Sequence, residues 1–462
     1  MVDIMKKINN LGSDSMGGLV VRLAIPSMIA QFINVLYSIV DRIFIGNIPE
    51  IGAMALAGVG ICGPIVTLIS SFSTWIGIGG SPLMSIKLGE RNKKAARHIM
   101  ANCFIMLIMM SIIITILLLI FKNKLLMFFG ASENTFPYAN TYMSIYILGS
   151  IFAIVSMGMN SFIICQGFSR VAMITVVIGA ISNIILDPVF IFVFNMGVAG
   201  AAIATVISQM ISCIFVLWFL FSDYPPIGIT FRGYNIEIMK KVLIVGFSPF
   251  VIISLDSGLI IAMNMALQYY GGAGYGDMLV TCHTITQSFF LMVTLPMAGI
   301  TGSTQPILGF NYGAGNIKRV KEGQKYTLIV CFVFTTIMMI IAHVFSPYFV
   351  RLFTNDQIYM GLSVKAIKIF TLMIIPLAVQ YTVVDGFTGI SAVKFAISLS
   401  VFRKLLYFIA MIVFPIFFGI ENIFYAEPVV DGISFLCSTF IYFKAMGKIL
   451  EKRENLLNAK RI

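Results

Sequence analysis

Long apolar runs alternate with short polar connectors along almost the whole chain. About 20 mostly apolar residues suffice to cross a bilayer as a helix, and roughly twelve such runs can be placed, from Leu19–Ile45 to one ending near residue 446. They are too long and too continuously apolar for the alternating ten-residue strands of a membrane barrel, so the pattern predicts an all-α polytopic membrane protein. The first run exceeds a signal-peptide core and no small-residue cleavage pattern follows it, so it is expected to stay as a spanning helix. No polar block is large enough for a soluble catalytic domain. Composition agrees: of 462 residues, 59% are hydrophobic and 11% charged, against about 25% charged in soluble domains, and mean hydropathy is +0.98.

The net charge of +12 is unevenly distributed. With the N-terminus in the cytosol, 25 of the 31 Lys and Arg fall on the cytosolic side, and Arg42, Lys122, Lys124, Arg351, Lys365 and Lys368 on the other. The positive-inside bias therefore orients the chain in the cell (cytoplasmic) membrane with both termini cytosolic. The basic clusters Lys87–Arg97 and Lys318–Lys325 flank spanning runs and lack interleaved aromatics, so they read as topology signals and not as a nucleic-acid surface. The seven cysteines are isolated, which excludes a disulfide scaffold or a Cys-based metal site. Gly58-Val-Gly-Ile-Cys-Gly63 fits the dinucleotide pattern literally, but no strand precedes it and it lies inside a span, where close helix packing explains it. His283 has only Cys282 beside it, which argues against metal binding. No nucleophile and base are paired in any motif, so an enzyme is not expected.

The chain repeats itself. Gly77-Ile-Gly-Gly-Ser81 recurs as Gly299-Ile-Thr-Gly-Ser303, Gly-x-x-Asn-x-Lys recurs at Gly89–Lys94 and Gly313–Lys318, and Pro26 is matched by Pro249, at offsets of 222, 224 and 223. Six spans per copy is an even number, so the copies share one orientation and form a parallel repeat, an arrangement that places a cavity at the repeat interface. The expected organisation is a cytosolic arm 1–18, a first lobe 19–221, a cytosolic linker 222–239 broken by Pro225-Pro226 and Gly228, a second lobe 240–446 and a cytosolic tail 447–462.

An ionisable residue inside a span costs about 2.5–3.5 kcal/mol on insertion scales, so each is a functional candidate. Asp41, Asp187, Asp256 and Asp385 stand out. In the first span Gln31, Asn34, Ser38 and Asp41 recur on one helical face with Tyr37 alongside, while the other faces are apolar. Hydrogen-bonded helix glue needs no carboxylate, so this stripe is read as cavity lining. In the fifth span Asn183 and Asp187 share a face, and Pro188 frees the carbonyl of Ile184, so a bend is expected at a carboxylate suited to a small cation. Shifting Asp41 and Asp187 by 223 reaches Asn264 and Ala410, so coupling chemistry is expected in the first lobe. Carboxylates that approach one another cannot readily both be ionised, so the pair is expected to exchange H+ or Na+. Asp256, seven residues after Pro249, is expected to add negative field to the cavity, whereas Asp385 is near enough to the interface to be solvated. The 29 Met residues read mainly as core.

These residues coincide with a known pattern. The chain resembles the multidrug and toxic compound extrusion (MATE) transporters, most closely their MepA-type branch. The resemblance spans 17 to about 450 and rests on Pro26, Asp41-Arg-Ile-Phe-Ile-Gly46, Leu88-Gly-Glu-Arg-Asn-Lys, Asn183 with Asp187-Pro188, Gly197-Val-Ala-Gly-Ala-Ala202 and, most specifically, Asn311-Tyr-Gly-Ala-Gly-Asn-Ile-Lys-Arg-Val-Lys321. It implies twelve helices in two six-helix lobes forming a V with an outward-open cleft, and export of cationic or amphipathic compounds against a Na+ or H+ gradient. By that resemblance the polar network comprises Tyr37, Asp41, Asn160, Asn183, Asp187 and Thr205. Asp41 would change protonation, Asn183, Asp187 and Thr205 would help hold the ion, and Na+ is a candidate at those four. Asp385 departs from the branch and is given no role. The resemblance leads to a monomeric antiporter with no cofactor beyond its coupling ion. The alternatives are a lipid-linked precursor flippase and an exporter of one metabolite. A flippase's anionic cargo should meet several Lys or Arg, and the sequence reading finds none in mid-span.

Overall fold

A computed structural model describes residues 9–129, 131, 133–272, 275–354 and 356–459. The first eight residues of the expected arm and the last three of the tail lie outside the described residues. Among those described, all regular structure is helical: α1 (Met16–Gly46), α2 (Gly52–Gly89), α3 (Lys93–Phe128), α4 (Phe136–Cys165), α5 (Ser169–Pro188), α6 (Gly197–Phe221), α7 (Ile236–Gly271), α8 (Tyr275–Gly313), α9 (Ile317–Arg351), α10 (Gln357–Phe370), α11 (Ile374–Gly389), α12 (Val393–Phe418) and α13 (Ala426–Ala459). A π turn, Val189–Val193, follows α5, and a 3-10 turn, Ile420–Tyr425, precedes α13.

Among the described residues, eleven helices are long and apolar enough to cross a membrane, and α10 with α11, bent by 48° at their junction, make a twelfth span when taken together. The chain is a multi-pass membrane protein. The tenth run, read from the sequence as continuous over 362–390, is broken at 371–373. Pro376, the third residue of α11, has no N–H for the carbonyl of Leu372, and its ring excludes that carbonyl, so the helix restarts.

The repeated Gly-x-x-Asn-x-Lys pattern has a local meaning. Gly89 and Gly313 end α2 and α8, and Asn92 and Asn316 cap the next helices by accepting from Ala95 N (3.0 Å) and Arg319 N (3.4 Å). Gly315 sits at φ +76°, the left-handed region a glycine tolerates.

The chain divides into two compact units: Ile29–Ile253 with the described part of Met1–Leu11, and Gly12–Met28 with Ser254–Ile462. In the first unit, small residues let helices approach closely, as expected where lipid supplies no hydrophobic drive between them. A Cβ on Gly77 would meet Gly158 O at 2.9 Å, and one on Gly149 would meet Val206 at 2.4 Å. Gly58 packs likewise on Thr135 O and Tyr138, although Gly60 and Gly63 face open space. The linker after α6 is pinned: Gln166 Oε1 accepts from Ile227 N (2.8 Å), while Asn102 donates to Gly233 O (3.0 Å) and accepts from Asn235 N (2.9 Å). In the second unit, Arg453 of α13 donates to the carbonyls of Tyr312 (3.1 Å) and Gly313 (3.0 Å), and Arg319 donates to Asn311 Oδ1 (3.0 Å) and Asp14 O (2.9 Å).

A close crossing in the first unit joins α2 to α7. Trp75 Nε1 donates to Leu243 O (2.8 Å), and a Cβ on Gly246 would lie 1.8 Å from Trp75 O. Backbone cannot retreat as a flexible side chain can, so Gly246→Ala is expected to destabilise the protein by about 1–3 kcal/mol. A lowered thermal-unfolding midpoint in detergent checks it, with Gly60→Ala, which meets nothing within 4 Å, as control.

Candidate functional site

The site is built from four helices of the first unit. On α1 the polar stripe Gln31, Asn34, Tyr37, Ser38 and Asp41 is half-buried, with Asn34 Nδ2 donating to Gln31 Oε1 (3.4 Å). On α5, one helical turn brings Asn183 Nδ2 to Asp187 Oδ1 (3.0 Å), and both residues are buried, Asp187 completely. Directly after Pro188 the helix widens into the π turn, closed by Phe194 N on Val189 O (2.9 Å). Beside Asp187, where the sequence predicts a bend, the structure has an extra residue in one turn.

The carboxyls of Asp41 and Asp187 come within hydrogen-bonding reach of each other. Tyr37 lies within electrostatic reach of both. Three residues the sequence reading passed over complete the surround. Tyr142 on α4 reaches Thr205 on α6, its ring stacks on Tyr146 at 6.1 Å, and Gln209 Nε2 donates to the Tyr146 hydroxyl (3.4 Å). Their signal was available: Tyr142 with Tyr146 and Thr205 with Gln209 are each i,i+4 pairs in spans.

Asp41 Oδ1, Asp187 Oδ2 and Asn183 Oδ1 are buried without a hydrogen-bond partner among the described residues. All three are acceptors. Burying such atoms unpaired is costly, and two facing carboxylates add mutual repulsion, so the arrangement favours an occupant that brings positive charge or a proton. A hard, oxygen-seeking cation such as Na+ and a shared H+ both meet that demand; Thr205, buried and donating to Ala201 O (3.0 Å), presents its hydroxyl oxygen on the side of Tyr142.

Other candidates stand apart. Asn160 lies fourteen residues beyond Tyr146 on α4, about 21 Å along the axis, and its amide donates to Ala172 O (3.3 Å). Asp256 is no bare charge, because Lys404 of α12 is ion-paired with it. Asp385, expected to be solvated, is half-buried and accepts a hydrogen bond from the Thr301 hydroxyl. His283 has more than Cys282 for company: its Nδ1 is 2.9 Å from Oδ1 of Asn264, the residue at the repeat position of Asp41.

The expectation of no Lys or Arg in mid-span is overturned. Arg403 and Lys404 lie eleven and twelve residues into the 26-residue α12. The buried Arg403 guanidinium donates to Glu427 Oε1 (2.6 Å) and, through Nε, to Asp431 Oδ1 (2.9 Å), two carboxylates one turn apart on α13. The charge count assigned these cations to a cytosolic connector, and Glu427 and Asp431 inside the last apolar run went unremarked.

The MatE family model matches residues 26–189 and 253–414, one match per copy of the repeat. The multidrug export protein MepA of Staphylococcus saprophyticus is 21% identical over 436 residues, covering 94% of this chain and 95% of that protein. Among solved structures, an outward-facing multidrug resistance MATE family transporter of the MOP superfamily superposes with a TM-score of 0.88 at 22% identity, covering 98% of each chain. A MOP superfamily transporter from Pyrococcus furiosus superposes equally well (TM-score 0.88, 22% identity, 97% and 98% covered), and its binding pocket of reversed polarity is described as suggesting a different function. The fold is therefore the two-lobe, twelve-span architecture, and it is shared by proteins with differing pockets.

Proposed function

Because the chain belongs to the MatE family, we propose that it is a secondary active transporter exporting cationic or amphipathic compounds, in exchange for H+ or Na+ taken up at Asp41 and Asp187. Export of several drugs is what the name of its staphylococcal relative states. The observation that carries the coupling role is the facing carboxyl pair with its orphaned acceptor oxygens. When H+ or Na+ binds there, the repulsion between the two acids is relieved, and the energy released can bias one state of an alternating-access cycle. Asn183 holds Asp187 in place and Thr205 supplies a further oxygen. Both termini are assigned to the cytosol and the working unit to a monomer.

A flippase for anionic lipid-linked cargo is the less favoured reading. Arg403 and Lys404, the cations nearest mid-span, are bound to carboxylates and so give an anionic cargo no free partner. The deciding experiment is ethidium uptake into proteoliposomes, with a pH gradient and a sodium gradient imposed separately. Accumulation driven by one of the two is expected; accumulation driven by neither removes the antiport reading.

A further inference from the structure

The second unit contains a groove of about 380 Å³ whose walls include His343 of α9, Lys365, Lys368, Ile369 and Leu372 around α10, and Tyr425 of the 3-10 turn. We propose that this groove holds an anionic phospholipid, with its phosphate at Lys365 and Lys368 and an acyl chain lying along α9.

Lys365 and Lys368 are three residues apart on α10 and so share a face. Neither forms an ion pair among the described residues, unlike Lys404 and Arg403 of the same unit. His343 is 26 residues along α9 from Ile317, about 39 Å from the basic connector end. The groove therefore lies at the end where cations are scarce, and it gathers two of the six assigned to that side. Positive-inside topology does not account for them. Uncompensated ammonium groups beside a bilayer attract phosphate, and the charge is complementary only to an anionic head group.

The apolar half of an amphiphile is provided for as well. Val333, Ile337, Ile340 and Val344 form one exposed stripe along α9, each more than half exposed, and the stripe ends next to His343. Leu372, at the break between α10 and α11, is exposed at the groove's edge. Two cations on the wall of a mainly apolar groove, beside a lipid-facing stripe, fit a head group above its own acyl chain, whereas a free phosphate ion would have no use for the stripe. The Tyr425 hydroxyl can donate a hydrogen bond to the same phosphate, while the Nδ1–H of His343 is already held by Met339 O (2.9 Å).

The purified full-length chain, delipidated in detergent and titrated with phosphatidylglycerol or phosphatidylcholine, can be followed by native mass spectrometry. One phosphatidylglycerol should be retained in preference to phosphatidylcholine, and K365Q/K368Q should lower its retention by about tenfold or more, as expected when two charge-assisted contacts are lost. K122Q/K124Q, which removes two cations from the same side elsewhere, should keep it. Equal retention by K365Q/K368Q and the parent, equal uptake of phosphatidylcholine, or displacement by glycerol 3-phosphate would each overturn the proposal. The readout is binding without transport, so it stands or falls separately from the coupling role of Asp41 and Asp187.

Discussion

Asp41→Asn and Asp187→Asn are each expected to reduce ethidium extrusion from cells to the level seen without the transporter, while purified protein keeps its thermal-unfolding midpoint. The two effects separate because of what surrounds the acids. An Asn side chain has nearly the shape of Asp, and at either position its NH2 can donate to the facing carboxylate, satisfying an oxygen that is orphaned in the parent. Stability should thus change little or rise slightly. In the proposed mechanism, by contrast, exchange of H+ or Na+ needs two facing carboxyls, because the repulsion relieved on binding is the energy available for coupling, and a ligand shifts an equilibrium only by its differential affinity for the two states. Undiminished extrusion by both variants would remove the coupling role. Loss of extrusion accompanied by loss of fold would return the pair to a structural part. Asn160→Ala, at a residue about 21 Å along α4 from Tyr146, should leave gradient coupling intact and alter at most which compounds are carried.

Much of this was legible in the chain. Apolar runs as long as a bilayer is thick leave few alternatives to spanning helices, and the doubled landmarks announce the parallel repeat, now matched by two copies of one family model. The face shared by Asn183 and Asp187 and the disturbance at Pro188 follow from helical periodicity and a missing N–H. The break in the tenth span was legible in principle from Pro376, but an apolar run conceals it because hydropathy is blind to where backbone bonds are lost. Pairing was the hidden quantity. Asp41 and Asp256 are the same residue type in similar apolar surroundings, yet one faces a second acid 146 residues away and the other a lysine 148 residues away. No periodicity rule reaches that far. The same blindness filed Arg403 under topology when its partners sit in the next span.

Arg403 supports the second large effect. Removing its charge alone, as in Arg403→Met, strands Glu427 and Asp431 in a buried setting, and breaking a buried pair from one side typically costs about 3–5 kcal/mol. Tyr407, close to Glu427, cannot replace a cation. A marked fall in the unfolding midpoint and poor recovery from the membrane are expected. The triple variant Arg403→Met, Glu427→Gln, Asp431→Asn should regain most of the loss, because neutral side chains of similar volume avoid the desolvation of charge altogether. If the single variant were as stable as the parent, the cluster would not be holding α12 to α13, and its charges would need another purpose. If the triple variant is stable and still exports, the charges of this cluster are structural, and what sets the proposed coupling pair apart is its pairing: each acid of the cluster holds the guanidinium through one oxygen, whereas Asp41 and Asp187 face each other's like charge, with Asn183 donating to one oxygen of Asp187.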